Sequence, residues 1–211
     1  MAVSTNIYRK LPLAVFNKEI DWAADTIKVT LHTNTYTPNY DTHDYQDDLS
    51  NELSTAGGYT AGGATLASCT QTYTAADSWG TARANSTAYV VGDLVRPATG
   101  NGYLYRCIVA GTSHSSAPTF PTTIGETVAE GAGTVVWDCV GRGVVVFDAA
   151  DTSWPAATFT ARRAVIADTT PAAAASNPLI CCIDFGEDKS PSAGTFQITY
   201  DADGIFYIPI P

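Results

Sequence analysis

Positive charge is scarce in this sequence: 11 Lys and Arg stand against 21 Asp and Glu among 211 residues, for a formal net charge of −10. A surface of that sign repels phosphates, which argues against a nucleic-acid-binding protein. Long apolar runs are also missing, since no stretch approaches the roughly 18–20 residues that span a membrane. The apolar patch from Leu11 to Phe16 is broken by Pro12 and is too short for a secretion signal, so we expect folding in a cytosol.

Paired cysteines and grouped histidines are lacking as well. The five cysteines are irregularly spaced, which argues against disulfides in a reducing compartment and, without CxxC pairs, against a zinc site. The adjacent Cys181 and Cys182 fit better as small strand residues. The three histidines lie far apart, and no nucleophile elbow, HExxH motif or glycine-rich phosphate loop is present. A Cys–His pair assembled in space stays open, but we expect no enzyme, no cofactor and no metal.

The densest acidic run lies between residues 40 and 52. Oxygen-rich loops can hold calcium, but the Asp-x-Asp-x-Asp-Gly spacing of a calcium loop is missing here. We therefore expect a solvated or inter-subunit loop. Its polar members are Asp41, His43, Asp44, Asp47, Asp48 and Glu52.

The residues that are abundant indicate a β-protein. Turns are frequent, with 17 Gly and 11 Pro, and the hydrophobic fraction of 45% is enough for a core. Residues 25–32 alternate apolar residues that face a core with Lys28, Thr30 and His32, which we expect to face solvent. Further strands are predicted at 63–73, 89–96, 103–109, 134–140, 143–148, 158–167, 179–184, 194–200 and 205–210. With helical turns expected only within 13–22 and 47–53, the prediction is an all-β fold of sandwich or barrel type.

The middle of the sequence, residues 75–142, has its own strands, turns and aromatic residues. The stretches that flank it, 66–74 and 143–148, have the lengths and patterns of neighbouring hairpin arms. Loop tips tolerate added domains because the host core stays intact. We therefore predict a discontinuous host domain, residues 1–74 and 143–211, that carries a small inserted β-domain, residues 75–142.

The two host segments resemble a family of small structural proteins of tailed bacteriophages. The resemblance covers about two-thirds of the chain, and typical members run straight from the first segment to the second, which supports the insertion. It implies that the host domain anchors the protein in a virion. The matching runs include KEIDW at 18–22, DTIKVTL at 25–31, YTP at 36–38, DTH at 41–43, GGYTAGG at 57–63, ARRAVI at 161–166, IDFGEDKS at 183–190 and DADGI at 201–205.

The inserted segment resembles small aromatic-rich carbohydrate-binding modules of the chitin- and cellulose-binding type. The matching runs are Trp79, YVVGDLV at 89–95 and NGYLYRC at 101–107. The rest of the segment, with AGTS at 110–113 and Val136-Trp137, resembles repeats of phage fibre and tail proteins. In such modules, flat rings stack on the apolar face of a pyranose while amides and hydroxyls bind its rim. The resemblance implies that sugar-stacking residues lie in this domain.

Five aromatic residues are candidates for that stacking: Trp79, Tyr89, Tyr103, Tyr105 and Trp137. The alternative is core packing, because a domain of this size needs the apolar area that Trp and Tyr supply. We expect Trp137 to be the first of the five to join the core, since it follows two valines. Trp79 and Tyr103 are the ones we expect to be exposed.

Together these features predict a non-enzymatic virion protein, assembled in the host cytoplasm. Within the particle we favour a capsid decoration (cement) or head-fibre base protein over a tail component. Its partners would be other virion proteins, either major capsid or tail proteins, and further copies of itself, with a trimer favoured. The alternative is a tail or head adhesin that binds host-surface glycans through residues 75–142. Neither nucleic acid nor a membrane is an expected partner.

Overall fold

A computed structural model describes residues 4–211, of which 43% lie in strands and 7% in helices, so the all-β prediction is confirmed. The helical part is one α-helix, α1 (Leu11–Phe16), with short 3₁₀ turns at Gln46–Asp48, Ala76–Ser78 and Ala174–Ser176. The strands are β1 (Ser4–Ile7), β2 (Ile27–His32), β3 (Ala64–Thr65), β4 (Thr70–Ala75), β5 (Ala88–Tyr89), β6 (Leu94–Val95), β7 (Leu104–Val109), β8 (Gly111–Thr112), β9 (Thr127–Ala129), β10 (Val136–Gly141), β11 (Gly143–Asp148), β12 (Thr152–Ala157), β13 (Ala161–Asp168), β14 (Leu179–Lys189), β15 (Gly194–Ile198) and β16 (Phe206–Ile210).

The chain divides into two compact units. The first comprises Met1–Gln71 and Phe147–Phe206, and the second comprises Thr72–Val146 and Tyr207–Pro211. The second unit therefore contains the predicted insertion, residues 75–142, but it also takes in residues 207–211, which the sequence assigned to the host. Residues 207–211 join this unit because β16 pairs with β11, and the Arg142 amide donates to the Ile210 carbonyl at 2.8 Å. The Tyr207 ring also packs edge-on against Trp79, with 4.5 Å between ring centroids.

The first unit is built on a five-stranded sheet in the order β1-β14-β13-β2-β3. Its central strands pair antiparallel, with Ala164 of β13 opposite Leu31 of β2 and opposite Ile183 of β14. Strands β12 and β15 form a second, two-stranded sheet, and Trp154 and Phe196 from it join the same hydrophobic core as Leu31 and Ile183. Two layers of sheet thus enclose the main core of this unit, which is a sandwich arrangement.

Both faces of the five-stranded sheet are buried. The expectation that Thr30 and His32 face solvent is wrong, since they are 3% and 1% exposed. A second cluster that includes Tyr8, Tyr36 and Leu179 covers this face. The buried imidazole of His32 is satisfied by the Ser50 carbonyl at 2.8 Å and the Thr30 hydroxyl at 2.9 Å. Alternation of apolar and polar residues predicted the strand correctly, but the covering residues come from segments that periodicity does not reveal.

The adjacent cysteines illustrate the two-sided sheet. Cys181 packs in the main core, and its neighbour Cys182 packs in the cluster on the opposite face, because successive strand residues point to opposite sides. All five cysteines are free thiols, and four of them are buried. Their role here is that of small apolar residues.

The second unit has a four-stranded sheet in the order β6-β7-β10-β9. Trp137 of β10 lies opposite Cys107 of β7 and Val128 of β9, so its indole enters the centre of the core. The predicted strand at 89–96 is interrupted here. Residues 90–93 form a tight turn in which the Asp93 amide donates to the Val90 carbonyl at 3.1 Å and Gly92 takes a φ of +103°. Only glycine adopts that φ without strain, so the YVVGDLV run specifies a turn between two short strands.

A buried carboxylate organises the core of the second unit. Glu130 forms an ion pair with Arg83 in which both side chains are almost completely buried. The Trp137 indole N–H donates to Glu130 Oε1 at 2.6 Å, and the His114 amide donates to Oε2 at 2.7 Å. Burial opposes ionisation of Glu130, but the hydrogen bonds from Arg83, Trp137 and His114 outweigh it and lower the pKa of the carboxyl.

This arrangement predicts a large loss of stability on Glu130→Gln, about 3–5 kcal/mol, because the Arg83 guanidinium would remain buried without its counter-charge. Urea denaturation monitored by amide hydrogen exchange in β7 and β10 measures the effect on the second unit. Glu126→Gln, at an exposed position close by, is the matched control and should change stability by less than about 0.5 kcal/mol. Equal losses of stability for the two substitutions would contradict the role of Glu130 as the buried counter-charge of Arg83.

Candidate functional site

Two of the five proposed stacking residues are fully buried. Trp137 and Tyr105 have no exposed surface, and both pack around Phe120. The Tyr105 hydroxyl donates to the Pro121 carbonyl at 2.6 Å and accepts a hydrogen bond from Asn101 at 2.8 Å. A ring that is enclosed on both faces has no free face for stacking on a sugar, so these two residues are part of the core.

Trp79, expected to be exposed, is 6% exposed. It belongs to a small cluster with Leu94, Leu104 and Val144, and Tyr207 closes one side of its ring. The prediction of exposure is therefore wrong. The residues that cover Trp79 come from distant parts of the sequence, and its local sequence, DSWGT, gives no sign of them.

Tyr89 and Tyr103 are half-buried, and each has a structural partner. The Tyr89 ring meets Trp137 edge-on at 4.9 Å, and its hydroxyl accepts the Ala84 amide at 2.7 Å. The Arg142 guanidinium lies over the Tyr103 ring, 4.8 Å from the centroid, and donates to its hydroxyl at 2.6 Å. Of the five candidates, these two are the ones that are not buried.

The acidic run between residues 40 and 52 is used for local structure. Asp44 pairs with Lys10 at 2.7 Å, and Asp48 accepts the Asp44 amide at 2.8 Å. Glu52 accepts the Tyr59 hydroxyl and the Gly62 amide, both at 2.6 Å. Among residues 4–211, no group of three or more His, Cys, Asp or Glu side chains is placed to hold a metal ion.

Two of the histidines, His32 and His43, pack against the same tyrosine in the first unit. The Tyr36 ring lies 5.0 Å from His32 and 6.0 Å from His43, and its hydroxyl is 2.7 Å from that of Tyr8. The fully buried Cys182 lies in the same cluster. Burial raises the pKa of its thiol to about 12, which keeps it protonated and therefore a poor nucleophile.

Among the clefts on the described part of the first unit, one of about 580 Å³ is lined by residues that include Ile183, Phe185 and Phe196, with Asp201 as the carboxylate in its lining. Another, of about 560 Å³, is polar and is lined by residues that include Lys18, Glu19, Asp25, Tyr45 and Thr170. Its Glu19 carboxylate accepts the Tyr45 hydroxyl at 3.1 Å and the Asn17 amide at 3.0 Å.

The most exposed large apolar side chains of the first unit lie on helix α1. Leu11 is buried and fixes the helix to the core, while Leu13 is 60% and Phe16 is 85% exposed. Leu13 and Phe16 are three residues apart and therefore share a helix face. Val15 adds a third exposed side chain, and we call Leu13, Val15 and Phe16 the α1 surface.

Charged residues border the α1 surface. The Lys10–Asp44 ion pair adjoins Leu13 in a small recess of about 30 Å³. At the other end, Lys18 takes a φ of +61° and donates its amide to the Val15 carbonyl at 3.0 Å, which stops the helix after Phe16. The exposed apolar side chains thus lie on one short helix with charged groups at its edge.

A second group of exposed apolar residues lies on the second unit. Val90 and Val91, at the tip of the 90–93 turn, are 63% and 65% exposed, and Ile108 and Val109 of β7 are partly exposed. The Gly92 amide donates to the Cys107 carbonyl at 2.9 Å, which places the turn beside this end of β7. The predicted strand at 89–96 included Val90 and Val91, and their local pattern gives no sign that they lie exposed in a turn.

No protein-family model matches the chain, and searches of the curated proteins and of the solved structures gave no significant match. In the described part of the chain, no helix is long and apolar enough to cross a membrane. The function therefore has to be argued from the residues themselves.

The burial of Trp137 gives a test of the stacking hypothesis. Trp137→Ala should destabilise the second unit by about 3–5 kcal/mol through cavity formation and loss of the donor to Glu130. Thermal unfolding followed by circular dichroism measures it, with Val91→Ala as an exposed control that changes little. A Trp137→Ala protein as stable as the parent would show that the indole does not pack in the core.

Proposed function

We propose that this chain is a structural protein of a tailed-bacteriophage particle, attached to the capsid as a decoration (cement) or head-fibre base protein. The observation that carries the proposal is the α1 surface, where Leu13 and Phe16 are exposed on one face of the helix and Val15 is exposed next to them in the chain. Exposed apolar residues that share a face are typical of surfaces that a partner covers. Residues 1–74 and 143–211 resemble phage structural proteins, and this resemblance indicates that the partner is another virion protein.

The surroundings of the α1 surface suit a contact between proteins. Lys10 and Asp44 pair next to Leu13, and Arg9 pairs with Asp41 just before the helix, so charged groups lie near an apolar centre. Protein interfaces commonly combine an apolar core with a polar rim. The partner is then a capsid protein or another copy of this chain, and a trimer is the favoured homo-oligomer because decoration proteins commonly sit at local threefold axes.

The second candidate function is an adhesin that binds glycans through the second unit. The observation that favours it is the pair Tyr103–Arg142, which puts a partly exposed ring beside hydrogen-bond donors. Stacking on this ring needs only Tyr103 and its neighbours, so the buried Trp79, Tyr105 and Trp137 are not required. This reading predicts a small site rather than an aromatic platform.

Virion attachment predicts that the protein is present on purified particles of the encoding phage in a copy number close to that of the major shell protein. Quantitative mass spectrometry of the particles, with cryo-electron microscopy for location, measures it. Absence from the particle would refute the proposal. A few copies located at the tail would refute capsid decoration and favour the adhesin.

Attachment through the α1 surface predicts that Leu13→Ser/Phe16→Ser lowers particle occupancy by at least about tenfold, the effect of roughly 1.4 kcal/mol of lost contact energy. Because both residues are exposed, the variant should unfold at nearly the temperature of the parent. Val90→Ser/Val91→Ser, on the second unit, is the matched control and should bind particles normally. Loss of particle occupancy in the control alone would indicate that the second unit, and not the α1 surface, makes the contact.

The adhesin reading is tested with the whole protein on a glycan array. It requires binding that is lost in Tyr103→Ala and kept in Val91→Ala. Trp79→Ala is unsuitable for this test because its ring is packed in a core, and loss of binding would report unfolding.

A further inference from the structure

The cleft of about 580 Å³ on the first unit runs along one edge of strand β15. Its lining includes five consecutive residues, 196–200, and none from β12, the strand that pairs with β15. Successive residues of an extended chain point to opposite faces, so a cleft lined by all five lies beside the strand edge and not over one face. We call it the β15 cleft. Other lining residues come from β14 and β1 and include Ile183, Phe185 and Thr5.

The edge of β15 that borders the cleft has no strand partner within residues 4–211. Its sheet consists of β12 and β15, and β12 occupies the other edge. An unpaired edge presents backbone N–H and C=O groups that can pair with a further strand. Folded proteins often protect such edges with lysine or proline, and Gly194–Ile198 contains neither.

Apolar side chains line the cleft beside this edge. Phe185 and Phe196 meet edge-on with 5.6 Å between ring centroids, and Ile183, Ile198 and Ile205 are further apolar residues of the lining. All five belong to the main core of the unit and keep between 3% and 9% of their surface exposed. A strand added along β15 would turn every second side chain toward these residues, which is the way strand addition combines affinity with specificity.

The two ends of the cleft differ in charge. Lys189 ends β14, just before the segment that leads to the start of β15, whereas Asp201 lies three residues after β15 ends. The Lys189 ammonium is paired with Glu187 at 2.7 Å. Asp201 accepts the Asp203 amide at 2.9 Å, and no Lys, Arg or His of the described residues pairs with it. With a net charge of −10 on the whole chain, a basic residue of an incoming segment is favoured at the Asp201 end.

An extended peptide matches the free edge, the apolar lining and the charge together. We propose that the β15 cleft binds an extended segment of a partner protein, which pairs with β15 as a further strand, places alternate apolar side chains in the cleft and sets a basic residue beside Asp201. The proposal concerns the first unit alone and does not depend on the function proposed above.

A second copy of this chain matches the cleft less well than a partner protein does. Among the described residues, the four most exposed large apolar side chains lie on helix α1 and in the 90–93 turn. Neither of these is an extended strand, so neither can pair with the edge of β15 while filling the cleft with alternate side chains.

Fluorescence polarisation with the full chain tests the proposal. The probes are fluorescein-labelled hexapeptides of the patterns KXTXTX and XTXTXK, with Val, Ile, Leu or Phe at X, and the same peptides methylated on either set of alternate backbone nitrogens. Strand pairing predicts that members of the set bind, that methylation of the nitrogens which donate to β15 weakens binding by at least about tenfold, and that methylation of the other set changes it little. Absence of binding by every peptide, or unchanged binding of both methylated forms, would overturn the proposal.

Two matched variants locate the site. Thr199→Arg puts a bulky cation in the lining of the cleft, and Thr195→Arg puts the same side chain at an exposed position of β15 that does not line it. We expect peptide binding to weaken by at least about tenfold in Thr199→Arg and to stay unchanged in Thr195→Arg. Both variants should unfold at nearly the temperature of the parent, because both positions are exposed. Equal peptide affinities of the two variants would refute binding in the β15 cleft.

The charge at one end of the cleft is tested with Asp201→Asn, which can still accept the Asp203 amide. It should weaken binding of the lysine peptides by about two- to fivefold, the effect of one exposed ion pair, and leave analogues with glutamine in place of lysine unchanged. The same loss for both kinds of peptide would contradict the basic residue beside Asp201.

Analytical ultracentrifugation of the protein alone separates a partner from a second copy. If the parent self-associates, and Thr199→Arg but not Thr195→Arg dissociates it, then a second copy fills the cleft and the partner protein is the wrong occupant. An association state that both variants share with the parent supports the proposal, because the cleft is then free for another protein.

Discussion

The burial of the Glu130 carboxylate is the constraint on which the second unit depends. A buried charge must be paired and hydrogen-bonded, and Arg83, Trp137 and the His114 backbone supply those partners. Holding the indole N–H at Glu130 turns Trp137 inward, and Tyr89 then packs on its edge. These aromatic residues therefore stabilise the core of the unit itself.

The first unit meets a different constraint, a sheet that is covered on both sides. Side chains that a half-buried strand would expose, such as Thr30 and His32, have to find polar partners inside the protein. The hydrogen bond between the Tyr8 and Tyr36 hydroxyls has the same origin, because it places polar groups where water is excluded. With the cores filled in both units, the apolar side chains left outside, above all Leu13 and Phe16, become the features that call for a functional explanation.

The burial of the aromatic rings and the exposure of apolar residues on α1 favour attachment to other proteins over the binding of glycans. Stacking of sugars needs free ring faces, and Trp79, Tyr105 and Trp137 have none to offer. Attachment to other proteins needs exposed apolar surface, which α1 provides. The all-β fold does not by itself separate the two proposals, since function lies in particular surfaces and not in the architecture.

The sequence alone determined the fold class and most strand positions, because two-residue alternation is a local property of the chain. It also marked the apolar 11–16 segment, although not that Leu13 and Phe16 would stay exposed. The tertiary structure decided which aromatic rings are buried and which polar side chains pair inside the protein. Arg83 and Glu130 are 47 residues apart, and Thr26 and Thr170 are 144 apart, so their contacts depend on long-range strand pairing that no local pattern encodes.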